Sequence, residues 1–411
     1  MSGVHVVLPG PTDVRGWKLT RAGERLLQVS ACATVGCAPI EGYLLDVQAQ
    51  LAKLPTVLLA ASWCAVRIRR RERPLFHPVH ALLAALAAVV LLTTVTHLAD
   101  PFAVEYAVRW LPFLVVTAIL IDVAAREVPP RALLAAAVAG ALVAGVGALY
   151  SVLAEGDPRA TGPLQDPNDL AYVLVAALPL LVALTPLDAA HRRRVARPVL
   201  AATAAAVLIL GAAMTLSRGG GFALLAATGW LVARRVLPLR VLAGALAAVA
   251  LAAVALFAGH DLSRALDEKT FIASSNVDAR EVRWQAAARM FAENPVLGVG
   301  PGGFRGNYAT VSHNAEIAEP TAVAHNMYLE VAAELGLPGF ALFVAVIAGA
   351  LVASERAFRA STDRRPMAAV QASLIAVLVA SAFLSEQYYL SLWSMVALAC
   401  AADLRTRPEG H

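Results

Sequence analysis

Arg131-Ala-Leu-Leu-Ala-Ala-Ala-Val-Ala-Gly140-Ala-Leu-Val-Ala-Gly145-Val-Gly147-Ala-Leu-Tyr150-Ser-Val-Leu153 carries no charge after its first residue. A helix needs about 20 mostly apolar residues to cross the hydrocarbon core of a bilayer. Residues 131–153 meet that length, and the pattern recurs on both sides. Comparable runs lie at 26–44, 51–68, 78–98, 103–124, 169–187, 198–216, 219–236, 238–259, 322–353, 367–386 and 388–404. The chain of 411 residues is 59% hydrophobic and only 15% charged, so these runs dominate it. That composition belongs to a polytopic membrane protein, not to a soluble domain. The predicted fold is all-α, with about twelve transmembrane helices and a large outer loop containing short amphipathic helices. Residues 1–259 hold spans one to nine, 260–321 the loop, and 322–411 spans ten to twelve. The small residues Gly140, Gly145 and Gly147 would let neighbouring helices approach closely.

Charge sets the orientation. With the N-terminus inside, Arg67 to Arg73, Arg192 to Arg194, Arg234-Arg235 and Arg364-Arg365 fall in inner loops. Lys53, Arg109, Arg159 and Arg218 fall outside. This asymmetry matches the positive-inside rule. The loop at 260–321 then faces the periplasm or cell exterior, where nucleotide cofactors are absent. The net charge of +5 is spread over short loops and gives no nucleic-acid signal. Cys32, Cys37, Cys64 and Cys400 lie in apolar runs without metal-ligand spacing and read as small core residues. The first apolar run is expected to stay as a signal anchor.

Three polar regions meet on the outer face. The first is Thr215-Leu-Ser217-Arg218-Gly-Gly-Gly221, a tight turn whose glycines admit a close backbone. Arg218 there either snorkels or holds an anion. The second is 277–293, where Trp284, Ala287, Ala288 and Phe291 form a stripe at helical spacing, with Arg280, Arg283 and Arg289 elsewhere. It predicts an amphipathic helix on the outer leaflet, ended by Asn294-Pro295. The third is His325, followed by Asn326, Glu330 and Glu334 on one face of a helix. A helix N-terminus disfavours the imidazolium form, so a neutral His325 could act as a general base. His313-Asn314 lies nearby in the loop without a following helix.

Gly298-Val-Gly300-Pro-Gly302-Gly303 fits a dinucleotide fingerprint formally, but has no strand before it and faces the wrong compartment. It is expected to pack close to a ligand or to the membrane. Asp166 or Asn168 is placed to cap span six. Arg109, inside span four, is a functional candidate by position, although Glu105 one turn earlier could pair with it. No metal and no cofactor are expected.

In their order and spacing these pieces resemble the O-antigen ligase-like superfamily of bacterial membrane proteins. The motifs are Gly162 with Asp166-Pro-Asn168, Ser217-Arg218-Gly-Gly220, Arg280 four residues before Trp284, Asn294-Pro-Val-Leu-Gly298-Val-Gly300, Gly303-Phe304, and His325-Asn-Met-Tyr328-Leu-Glu330 running to Glu334-Leu-Gly336 and Gly339. The resemblance implies an enzyme of the inner membrane with its site on the periplasmic side. The donor would be a glycan on undecaprenyl pyrophosphate. The acceptor would be lipid A–core in a ligase, or another lipid-linked glycan in a repeat-unit polymerase. Arg218 with Arg280 or Arg283 would hold the pyrophosphate, and His325 would deprotonate the acceptor. Asn326, Tyr328, Glu330, Arg109 and Asn168 would support the site. Gly336 and Gly339 are three apart, where some ligases show four. Outside this class, a secondary transporter would be expected to show repeated halves, and none is visible. A purely structural membrane protein leaves the outer-face Arg and His residues without a purpose.

Overall fold

The computed structural model describes residues 11–185, 196–244, 246–247, 280–313, 315 and 322–407. Among these the chain is helical, with no strand. Helices α1 (Pro11–Cys37), α2 (Glu41–Val47), α3 (Leu54–Arg70), α4 (Pro78–Thr96), α5 (Pro101–Arg126) and α6 (Pro130–Leu153) come first. They are followed by α7 (Pro167–Ala177), α8 (Leu180–Leu184), α9 (Ala196–Met214) and α10 (Arg218–Ala233). The polar region contributes α11 (280–293) and α12 (Gly303–Val311). The C-terminal part holds α13 (Met327–Ala360), α14 (Arg365–Ala380) and α15 (Leu390–Thr406).

Proline and short polar caps punctuate these helices. Pro78, Pro101, Pro130 and Pro167 each stand at a helix start, where the missing N–H costs nothing. The first expected span, 26–44, is interrupted for the same reason. Pro39 has no N–H to continue the ladder, so α1 ends at Cys37, and a single 3-10 turn leads into α2. The expected span 238–259 lies mostly outside the described residues, as do 260–279 of the outer loop.

Five helical stretches among the described residues are long and apolar enough to cross a membrane: Pro78–Thr96, Pro101–Arg126, Pro130–Leu153, Pro167–Leu184 and Met327–Ala360. Their outward faces carry exposed Leu92, Val95, Val108, Val146 and Val352. A belt of large exposed aliphatics would be costly in water and fits a lipid surround. Cys64 belongs to this outer surface and Cys32 and Cys37 are half-buried, so only Cys400 is a core residue. Apolar character in a membrane helix does not imply an inward position.

Inside, α15 packs on α5 and α13, α1 packs on α3 and α6, and α10 packs on α14. Trp110, Phe343, Tyr388 and Trp393 meet edge to face at the centre, with centroids 5.3 to 6.3 Å apart. The α1–α6 crossing depends on glycine. A Cβ on Gly140 would fall 1.9 Å from the Gly36 carbonyl oxygen. At the end of the bundle bearing Arg67, three helices are tied together by charge. The Arg67 guanidinium, buried on α3, donates to Asp122 on α5 at 2.7 Å and to both oxygens of Glu127 at 2.6 and 2.9 Å. Arg405 on α15 donates to the Ala124 and Val128 carbonyls, both at 2.8 Å.

Candidate active site

The opposite end of the bundle assembles the polar motifs. Asp166 caps α7 by accepting the Asn168 N–H at 2.7 Å, and it also accepts the Asn168 side-chain amide at 2.9 Å. Asn168 in turn accepts a hydrogen bond from Arg159 at 3.3 Å. Arg159 Nε donates to the Thr215 carbonyl at 2.8 Å, and Ala160 N–H donates to the Met214 carbonyl at 3.0 Å. The 154–166 loop is thereby stitched to the turn before α10. In that turn Ser217 caps α10 by accepting the Gly220 N–H at 3.2 Å, which leaves Arg218 exposed on the first helical position.

Arg280, at the start of the described part of α11, reaches the same place. Burial pushes its ionisation down from the usual arginine range. The Asp166 carboxylate opposes that shift, and the guanidinium groups of Arg283, Arg159 and Arg218 add to it. Four arginines and one aspartate therefore share one region. Arginine keeps its charge under such conditions, so the region is strongly cationic.

The sequence pattern misjudged which face of α11 is covered. Arg283, Ala286, Ala287 and Met290 are buried, whereas Ala288 is exposed and Trp284 and Phe291 are half-buried. The helix is rotated because its partner is protein: Phe304, Tyr308, Ala322, Ala324 and Ala333 receive it. Arg283 is thus an inward residue, 8% exposed, and not one of the outer surface. The same contact brings the helix of Arg280 and Arg283 against Ala322 and Ala324, beside His325.

His325 has φ +47°, a left-handed conformation uncommon for a residue with a side chain. Three anchors hold it there. Asn326 caps α13, accepting the Tyr328 and Leu329 N–H groups, both at 3.1 Å. Met327 N–H donates to the Ser381 and Leu384 carbonyls at 2.9 and 2.8 Å. Glu330, buried, accepts the Ala324 N–H at 2.9 Å, the Gln387 amide at 2.7 Å and the Ser385 hydroxyl. Tyr328 donates to the Leu378 carbonyl at 2.8 Å and so ties α13 to α14. The 381–389 loop also reaches the arginine turn, since a Cβ on Gly219 would sit 3.3 Å from Phe383.

The glycine-rich loop 294–303 packs against α13 and not against a free surface. Val299 and Gly300 N–H groups donate to the Ala333 and Glu334 carbonyls at 2.9 and 3.0 Å, and Leu337 N–H donates to Pro295 at 2.7 Å. The Gly302 and Phe304 N–H groups face the Glu334 carboxylate. Gly336 breaks the helix with φ +64° and ψ −171°, and a Cβ there would meet the Val296 carbonyl oxygen at 2.6 Å. Glu334 therefore anchors this loop, while Glu330 on the same helix face anchors the His325 segment.

Two expected site residues are engaged by their own neighbours. Arg109 donates to Glu105 at 2.6 Å and lies 4.5 Å over the Tyr106 ring, with both charged side chains about half exposed. Asn168 acts through Arg159 and Asp166. Ser385 and Gln387 carried no motif that marked them, and Arg159 stood in the loop without an assigned role.

Residues 203–344 match the family model described as O-Antigen ligase. Over this segment the chain is similar to the O-antigen ligase family. The segment contains Arg218, Arg280, Arg283 and His325, while Arg159, Asp166 and Asn168 precede it. No curated protein matches the chain. A match to that family, in a chain of apolar helices, suggests glycosyltransferase-like activity at a membrane.

Proposed function

We propose that the chain transfers a glycan from undecaprenyl pyrophosphate to an acceptor hydroxyl on the outer face of the bacterial inner membrane. The reaction we assign is ligation to lipid A–core with inversion at the anomeric carbon. The observation that carries this reading is that Arg218, on α10, acts on Arg280 of α11, and that α11, with Arg280 and Arg283, packs against the segment of His325.

His325 takes the proton of the acceptor hydroxyl as its oxygen attacks C1 of the donor sugar. The bond from C1 to the phosphate oxygen breaks on the opposite side, and the electron pair leaves with undecaprenyl pyrophosphate. Guanidinium groups suit the planar, bidentate recognition of phosphate oxygens. Their charge stabilises the leaving group as it develops. The energy lies in the donor's own glycosyl phosphate bond, so the step needs no nucleotide.

The test is transfer in detergent from purified glycan-pyrophosphate-undecaprenol, with EDTA present, offering lipid A–core or no acceptor. Wild type is compared with His325→Ala, Arg218→Ala and Arg280→Ala. Transfer to lipid A–core that each substitution abolishes supports the ligase. A glycan ladder that grows without lipid A–core replaces it with a repeat-unit polymerase using the same donor site. Absence of transfer in both arms, with solute flux in liposomes, overturns the enzyme reading in favour of a transporter.

A further inference from the structure

At the other end of the bundle, among the described residues, Arg365 and Arg405 donate only to neutral oxygens, of Thr185 and of the Ala124 and Val128 carbonyls, while other covered arginines pair with carboxylates. Arg67 is held by Asp122 and Glu127, and Arg234 by Glu355. Arg159 is half-buried and its two hydrogen bonds also go to neutral oxygens, but these belong to the Thr215 carbonyl, in the turn that carries Arg218, and to the Asn168 amide. Among the described residues no carboxylate lies within ion-pair distance of it. Asp166 is close enough to favour the charged form, but its Oδ1 is occupied by the backbone and side chain of Asn168. Burial pushes the Arg159 ionisation down, so keeping the cation there opposes desolvation.

Neutral acceptors orient a guanidinium without cancelling its charge. A guanidinium has five N–H donors in one plane. Nε and one Nη are committed to Thr215 and Asn168, which fixes the plane and leaves donors for another group. The two tethers also place Arg159 between the turn that carries Arg218 and the cap of α7. Arg159, Arg218 and Arg283 all act on the Arg280 guanidinium, with Asp166 opposing them, so four guanidinium groups lie within electrostatic reach at one place. A pyrophosphate diester carries two negative charges and a phosphate monoester or diester offers a single phosphorus centre. The larger anion is the better match to a cluster of this charge.

We propose that Arg159 is a binding residue for the donor, contacting its pyrophosphate together with Arg218 and Arg280. The proposal rests on the donor reading above. It adds the 154–166 loop to the anion site and gives Asn168 its purpose, since the Asn168 amide oxygen holds the guanidinium in place.

The test measures binding of farnesyl pyrophosphate and farnesyl monophosphate to the full-length protein in detergent, with melting temperature recorded for each variant. Arg159→Gln keeps an amide donor for the Thr215 carbonyl and removes the charge. It is expected to weaken farnesyl pyrophosphate about tenfold and farnesyl monophosphate less than threefold, with little change in melting. Arg159→Lys, which keeps a cation, is expected to recover most of the loss. Wild-type affinity for both ligands in Arg159→Gln, while Arg218→Ala and Arg280→Ala lose theirs, overturns the proposal and leaves the donor site standing. Wild-type affinity in all of these variants removes the donor site itself. Equal loss of both ligands in the Gln and Lys variants with a lowered melting temperature assigns Arg159 to structure, and also overturns the proposal.

Discussion

At the scale of single residues, the telling feature is a histidine held in an unfavourable conformation by a buried carboxylate. A positive φ on a non-glycine residue costs on the order of 1–3 kcal/mol and persists only where its surroundings impose it. Here the surroundings are Glu330, Asn326 and the 381–389 loop. Removing the Glu330 carboxylate in Glu330→Ala leaves the Ala324 N–H and the Gln387 amide without their partner. Each buried group so orphaned costs about 1–3 kcal/mol. With His325 as the proposed base, the larger effect is expected on rate, because a misplacement of that kind can cost on the order of 10²-fold. We expect Glu330→Ala to lower kcat in the transfer assay while KM for the donor stays within a few-fold. A raised KM with unchanged kcat would place Glu330 in donor binding instead.

At the scale of elements, the contact between the 294–303 loop and the kink in α13 is set by backbone geometry. Gly336 is left-handed, and a side chain there would strike the Val296 carbonyl and the Gly298 N–H at 2.6 and 2.8 Å. At Gly229, in the interior of α10, an added Cβ would meet nothing within 4 Å. Gly229→Ala is therefore expected to stabilise by about 0.5–1 kcal/mol through helix propensity. Gly336→Ala should destabilise by more than the roughly 1–2 kcal/mol of a left-handed L-residue alone, because backbone must also move. Thermal melting of the two variants side by side checks both signs. A Gly336→Ala protein that melts with wild type would mean that the kink is not needed to seat the loop.

At the scale of the whole molecule, the two ends of the bundle do different work. One end is closed by Arg67, with Asp122 and Glu127 satisfying it from α5 and the turn after it. Arg67→Ala would remove the nearest cation from two buried carboxylates, leaving Asp122 with Arg126 at 3.5 Å and Glu127 with Arg70 at 3.8 Å, and should cost about 3 kcal/mol, the low end for a broken buried pair. It should lower the melting temperature and leave KM for the donor unchanged; a specific loss of donor affinity would connect the two ends in function. The other end bears the arginines and His325. If that end faces outward, a membrane-impermeant thiol reagent should label Glu293→Cys in intact cells. Arg73→Cys should react only after permeabilisation, both variants being made in a chain without Cys32, Cys37, Cys64 and Cys400. The reverse pattern would put the site on the inner face and remove the lipid-linked donor reading.

The sequence by itself determined that the chain is helical, where most helices begin, and which short motifs carry charge. Those properties follow from local causes: runs of apolar residues, prolines at first helical positions, and caps such as Asp166, Ser217 and Asn326. It also placed His325 before a helix with Glu330 and Glu334 on one face, since helical periodicity is enough for that. Only the tertiary structure decided which face of α11 is buried. Trp284 and Phe291 outweigh alanine in any hydrophobic pattern, but the small residues Ala286 and Ala287 fit against Ala322, Ala324 and Ala333. The Glu105–Arg109 pair is the one-turn contact that helical spacing allowed, but only tertiary structure drew Arg159 to Thr215 across many residues of chain. It likewise brought Ser385 and Gln387 to Glu330. Those contacts depend on how close packed helices come, and closeness in space leaves no mark in the order of residues along the chain.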